Sequence, residues 1–245
     1  MRRAGELLGH GVTRAARIAV LGDRDLDFVT HRELDAALAL FPDWAHGAWV
    51  PTDSDVEAAL ARADGVWVAP GTPYRDDDAV YAAIGAARER GLPLLGTCGG
   101  FQYAVVELAR SLAGLDARHA ETDPDADTLV AAPLACSLVG QERTVTCVPG
   151  TRLAAICGTE PFAGFHWCNY GLAPAFEEVL TAAGVVISAR APDAGVEAIE
   201  LPAHPFFLAT LFQPQVGALA GDALHPLIGA FVEAALAHQR ALEAI

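Results

Sequence analysis

Lysine is missing altogether: all 16 basic residues of this 245-residue chain are arginine. That excludes a P-loop lysine holding a nucleoside triphosphate, a Schiff-base amine and a lysine general base. Positive charge is scarce overall. Aspartate and glutamate number 31, giving a formal net charge of -15 and a sequence pI near 4.8. Such a surface repels phosphate backbones and anionic lipids, which argues against nucleic-acid and membrane-surface roles. Long apolar runs are absent too: no stretch approaches the roughly eighteen residues of a membrane span. Glu6 and His10 stand where a signal peptide needs an apolar core. The cysteines are five, an odd number, at 98, 136, 147, 157 and 168, and none forms a C-x-x-C pair. A disulfide framework or structural zinc site is therefore not expected, and a reducing, cytoplasmic setting is.

Hydrophobic residues make up 53% and charged residues 19% of the chain, a globular composition with material for a sizeable core. The length suits a single domain over 1–245, with 1–16 as an N-terminal extension. Short buried strands alternate with amphipathic helices through the first half: strands at 17–22, 65–70 and 92–96, helices at 31–41, 55–63, 80–90 and 100–112. The second half is more mixed. Strands are expected at 137–148, around 167–170, and at 185–189, 196–200 and 206–212, with helices at 175–183 and 225–242. Alternating strands and helices predict a three-layer α/β domain with a mostly parallel central sheet.

The informative segment is Gly91-Leu-Pro-Leu-Leu-Gly-Thr-Cys-Gly-Gly-Phe-Gln102. A buried strand runs through small residues straight into a helix, the pattern of a nucleophile elbow. Cys98 then sits at a helix N-terminus, where the dipole and free amides favour a thiolate and can hold an oxyanion.

Leu95-Gly-Thr-Cys-Gly-Gly-Phe-Gln-Tyr-Ala-Val-Val-Glu-Leu-Ala-Arg110 resembles the nucleophile segment of class I glutamine amidotransferase domains, above all the C-terminal domain of CTP synthase. Val68-Ala-Pro-Gly-Thr-Pro-Tyr74 resembles the family's oxyanion loop, and Ala117-Arg-His-Ala-Glu-Thr-Asp-Pro-Asp125 its loop with a glutamine-binding glutamate. Glu200-Leu-Pro-Ala-His-Pro-Phe-Phe207 resembles the approach to the third catalytic region. The resemblance implies a flavodoxin-like sandwich. The synthase domain has no counterpart in these residues, so a free-standing relative is expected.

By this resemblance Cys98 is the nucleophile, the amides of Thr72 and Gly99 form the oxyanion hole, and Gly71, Gln102 and Glu121 hold the substrate. The family's His-Pro-Glu reads Gln213-Pro-Gln215 here, and its Arg-His-Arg-Tyr reads Trp167-Cys-Asn-Tyr170. An amide orients a substrate but shuttles no proton near neutral pH. Asn169 stands where an arginine would bind the substrate carboxylate. Gln213, Gln215, Asn169 and Tyr170 are thus expected to line the substrate site, with His119 or His166 as substitute base.

The function this implies is a thiol-dependent enzyme acting on a small amide-like or amino-acid-derived substrate, and not an efficient glutaminase. The alternatives are an inactive binding or regulatory protein, and an amidotransferase subunit working with a separate synthase. No cofactor and no metal are implied. The expected partner is a small-molecule substrate, with a homodimer left open.

Overall fold

A computed structural model describes residues 14–192 and 194–244; most of the expected N-terminal extension lies outside them. The first strand is β1 (Ala16–Leu21), followed by α1 (Val29–Ala39), β2 (Ala45–Val50), α2 (Val56–Leu60) and β3 (Gly65–Val68). Then come α3 (Asp77–Arg90), β4 (Leu94–Thr97), α4 (Gly99–Ser111), β5 (Arg118–His119), β6 (Leu129–Pro133) and β7 (Gln141–Cys147). The chain continues through α5 (Arg152–Cys157), β8 (Phe162–His166), β9 (Tyr170–Leu172), a 3-10 turn at Pro174–Phe176 and α6 (Glu177–Ala182). It closes with β10 (Val186–Ala191), β11 (Gly195–Glu200), β12 (Phe207–Thr210) and α7 (Pro226–Glu243).

Nine strands form one sheet in the order β2-β1-β3-β4-β12-β11-β10-β7-β8. The half from β2 to β12 is parallel, and the half from β12 to β8 is antiparallel. The sheet is therefore mixed, and the expected parallel character holds only where the site is built. A small second sheet, β5-β6-β9, stands beside it.

Side chains alternate between the two faces, as the strand period demands. In β3, Val66 and Val68 join one buried cluster, with α2, α3, α4 and α6, while Trp67 joins the other, with α1, α5 and α7. Leu94 and Leu95 of β4 divide in the same way. The layers are thus helices, sheet, helices. α3 starts on the Asp76 side chain, which accepts from Ala79 N–H, and stops at Gly91 in the left-handed conformation. Among the described residues no helix is long and apolar enough to cross a membrane.

Candidate active site

In a parallel sheet the loops at the carboxyl ends of the strands converge on one edge, where ligands bind. Here the β3–α3 loop, the β4–α4 turn and the segment after β12 meet there. Cys98 ends β4 and caps α4 with φ 54° and ψ -105°, the one positive φ among the described non-glycine residues. An L-residue holds that conformation only when its surroundings impose it, and such strain gathers at functional sites. The surroundings are visible. Cys98 N–H donates to the Thr210 carbonyl of β12 at 2.9 Å. Behind the thiol, a Cβ on Gly99 would lie 2.5 Å from Thr72 Cγ2, and one on Gly100 only 2.4 Å from the Val68 carbonyl oxygen. The turn closes because both positions are glycine. Phe101 and Gln102 N–H both donate to the Cys98 carbonyl, which leaves the Gly99 amide in the first helical turn without an intrahelical acceptor.

The thiol opens on a small cleft of about 180 Å³. Gly71 and Thr72 form one wall; Gln102 and Glu121 a second; Cys168, Asn169 and Tyr170 a third; and Gln213 closes the end. Cys98 Sγ donates to the Trp167 carbonyl at 3.5 Å. The cleft thus gathers Cys98, Gly71, Thr72, Gln102, Glu121, Asn169, Tyr170 and Gln213 from segments far apart in the chain. Among the described residues Glu121 is its one carboxylate, and no arginine or histidine lines it. Glu121 Oε2 is buried with no hydrogen-bond partner among the described residues.

Gln213 and Gln215 are both buried, and Gln215 Nε2 donates to Gln213 Oε1 at 2.9 Å. Gln213 Nε2 is left as a buried donor with no partner among the described residues. The amide pair repeats the hydrogen-bonded contact of a base and its orienter, but neither member takes up a proton.

Neither expected stand-in base borders the cleft. His119 Nδ1 accepts from the Glu121 N–H at 3.1 Å, so its proton is on Nε2, which donates to Gln102 Oε1 at 2.9 Å. Both ring nitrogens are engaged, and burial lowers the pKa to about 4. Gln102 is itself tied back, its Nε2 donating to the Tyr170 carbonyl. His119 therefore braces the Glu121 loop against α4 rather than facing Cys98. His166 is fully buried behind the third wall, its Nε2 3.0 and 2.9 Å from the two carboxylate oxygens of Glu197. Reading the sequence missed Glu197. A carboxylate at the centre of the otherwise apolar strand 195–199 was the available signal, since a buried charge requires a partner.

The His119 pKa has a measurable consequence. Its folded value lies below the unfolded 6.5, so the unfolded chain binds more protons between pH 6.5 and 4. Its contribution is complete above pH 6.5 and is lost as pH falls through the folded value, by roughly 2–3 kcal/mol. His119→Gln should flatten the pH dependence of the unfolding free energy, measured by urea titration, by roughly that amount; an unchanged slope would show His119 solvated in the native state.

A strained cysteine elbow over the parallel half of such a sheet is the arrangement expected of a class I glutamine amidotransferase-like domain, and the comparisons with known proteins give that class. Residues 53–215 match the Peptidase C26 family model, and the chain belongs to that family. The CTP synthase of Rubrobacter xylanophilus is 34% identical over 93% of this chain and 44% of its own length. That of Carboxydothermus hydrogenoformans is 38% identical over 74% of this chain and 36% of its own. The chain thus spans less than half the length of these curated relatives. The glutaminase domain of Trypanosoma brucei CTPS with bound acivicin superposes with a TM-score of 0.78 at 25% identity, covering 90% of this chain and 94% of that one. A Thermotoga maritima glutamine amidotransferase, 10% identical with a TM-score of 0.56 over 93% of this chain and 96% of that one, shares the fold.

Proposed function

We propose that the chain is a cysteine-dependent enzyme with a remodelled amidotransferase site, acting on a small amide-like substrate that carries an ammonium group and no carboxylate. The observation that carries this reading is the cleft's charge: among the described residues, one carboxylate, Glu121, with an unpartnered buried oxygen, and no cationic side chain. A buried carboxylate oxygen without a donor favours a ligand that brings one. A ligand carboxylate would find only neutral Asn169 and the amide of Gln213. Cys98 Sγ would attack the carbonyl, its developing oxyanion facing the Thr72 and Gly99 amides.

One observation favours a second reading, an inactive binding or regulatory protein: the Gln213–Gln215 pair supplies no proton to a leaving amine. An amidotransferase subunit serving a separate synthase would need glutamine hydrolysis and falls if that is absent.

The test uses 4-aminobutanamide, which is glutamine without its α-carboxylate. The expected result is kcat/KM at least about tenfold above that for glutamine, abolished by Cys98→Ala and with KM raised by Glu121→Gln. Preference for glutamine would sink the substrate assignment. Calorimetric binding of the amide without Cys98-dependent turnover would establish the binding protein instead.

A further inference from the structure

Cys168 takes no part in the reaction proposed above, yet its thiol meets the nucleophile. Cys98 comes from the β4–α4 turn and Cys168 from the segment after β8, and both are only 5% exposed. They share the wall of one cleft. The carbonyl 3.5 Å from Cys98 Sγ belongs to Trp167, the residue bonded to Cys168. The fold thus brings to one cleft two thiols from segments seventy residues apart.

We propose that Cys98 and Cys168 are a peroxide-oxidisable dithiol: a small hydroperoxide oxidises Cys98, and Cys168 converts the product to a disulfide that blocks the nucleophile. In the first step the Cys98 sulfur attacks the terminal oxygen of ROOH. The O–O bond breaks, an S–OH forms and RO⁻ takes a proton to leave as ROH. In the second step the Cys168 sulfur, giving up its proton, attacks the Cys98 sulfur. The S–O bond breaks, water leaves and the S–S bond forms. The balance is two thiols plus ROOH giving a disulfide, ROH and H₂O, with the two electrons drawn from the sulfurs and accepted by the peroxide.

The cleft suits this reagent. A hydroperoxide is small and uncharged, so a cleft whose described lining holds no cation does not disfavour it. The reaction also needs no base at Gln213. The hydrogen bond to Cys98 is the largest cause raising the Cys168 pKa, with burial next. Oxidation of Cys98 removes that hydrogen bond and frees Cys168 to react. Cys147 and Cys157 make a comparable thiol–thiol hydrogen bond away from the cleft and serve as an internal control. They have neither the strained turn nor a helix N-terminus.

The experiment uses the whole chain carrying Cys136→Ser, which removes the exposed thiol, treated with one equivalent of hydrogen peroxide. The expected result is a Cys98–Cys168 disulfide by peptide mapping, forming about tenfold faster than any Cys147–Cys157 bond and reversed by dithiothreitol. Cys168→Ser should stop the reaction at a sulfenic acid on Cys98, trapped by a 1,3-diketone. Cys168→Ala gives the same readout without a hydroxyl. A Cys147–Cys157 disulfide with Cys98 untouched would overturn the proposal, as would oxidation of Cys98 past sulfenic acid with the Cys168 thiol intact. Wild-type mapping needs neither variant, so a misfolded mutant leaves the proposal decidable.

Discussion

Installing Gln213→His and Gln215→Glu together should leave glutamine hydrolysis about ten- to a hundredfold below that of a CTP synthase glutaminase domain assayed alongside. Loss of a general base costs about 10²–10⁴-fold, and the double variant restores that group. It leaves the ligand's carboxylate facing Asn169, a neutral residue, in a cleft with no cationic wall. A charged hydrogen bond forgone there is worth about 1.5–3 kcal/mol, or about ten- to a hundredfold in binding. Adding Asn169→Arg should recover activity that the double variant lacks. Efficient Cys98-dependent ammonia release by the double variant alone would show that only the proton shuttle had been lost, and the remodelled-pocket reading would fail.

Gly100→Ala should be the most damaging single-methyl change in the site. Its Cβ would lie 2.4 Å from the Val68 carbonyl oxygen and 3.0 Å from Val68 Cβ. Both atoms belong to β3, a strand buried on both faces that cannot retreat without disturbing its two neighbours. Overpacking of this kind costs about 1–3 kcal/mol, sometimes more, or roughly 3–10 °C in Tm for a chain of this size. Reactivity of Cys98 towards iodoacetamide should fall with it, because the displaced turn is the one that holds φ at 54°. Gly229→Ala in α7 is the matched control. Nothing lies within 4 Å of its Cβ, so it should be neutral or stabilise by about 0.5–1 kcal/mol. Equal melting temperatures for the two variants would refute the close-packed elbow.

Elements built on buried apolar runs were legible in the sequence. β1, β3 and β4 announce themselves because both faces are covered, and α4 because glycines precede a long amphipathic stretch. β2 was missed. Ala45-His-Gly-Ala-Trp-Val50 is an edge strand with three consecutive exposed residues, and one-sided burial leaves no apolar run to read. β8 was expected some five residues later than it lies, since the aromatic and polar residues at 167–170 look more strand-like than Ala163 and Gly164. α5, six residues at Arg152–Cys157, was also missed. The site divides in the same way. The elbow at Cys98 was legible because a strand running through small residues into a helix is a local pattern, whereas the expectations for Thr72 and Gly99 came from the family resemblance. His119 and His166 were misplaced because a histidine's role depends on what its two nitrogens meet, and the partners Gln102 and Glu197 are 17 and 31 residues away.

The insertion of β12 between β4 and β11 has a consequence for biosynthesis. β4 leaves the ribosome long before Phe207–Thr210, yet it is β12 that supplies the Thr210 carbonyl to Cys98 N–H. Until then the growing polypeptide carries two unpaired edges, β4 and β11, and the turn lacks the acceptor that anchors it. Pairings this distant in the chain form late in folding. The Cys98 turn is therefore anchored only after β12 has emerged, so a product stalled before residue 207 would carry the cysteine in a turn without its β12 acceptor.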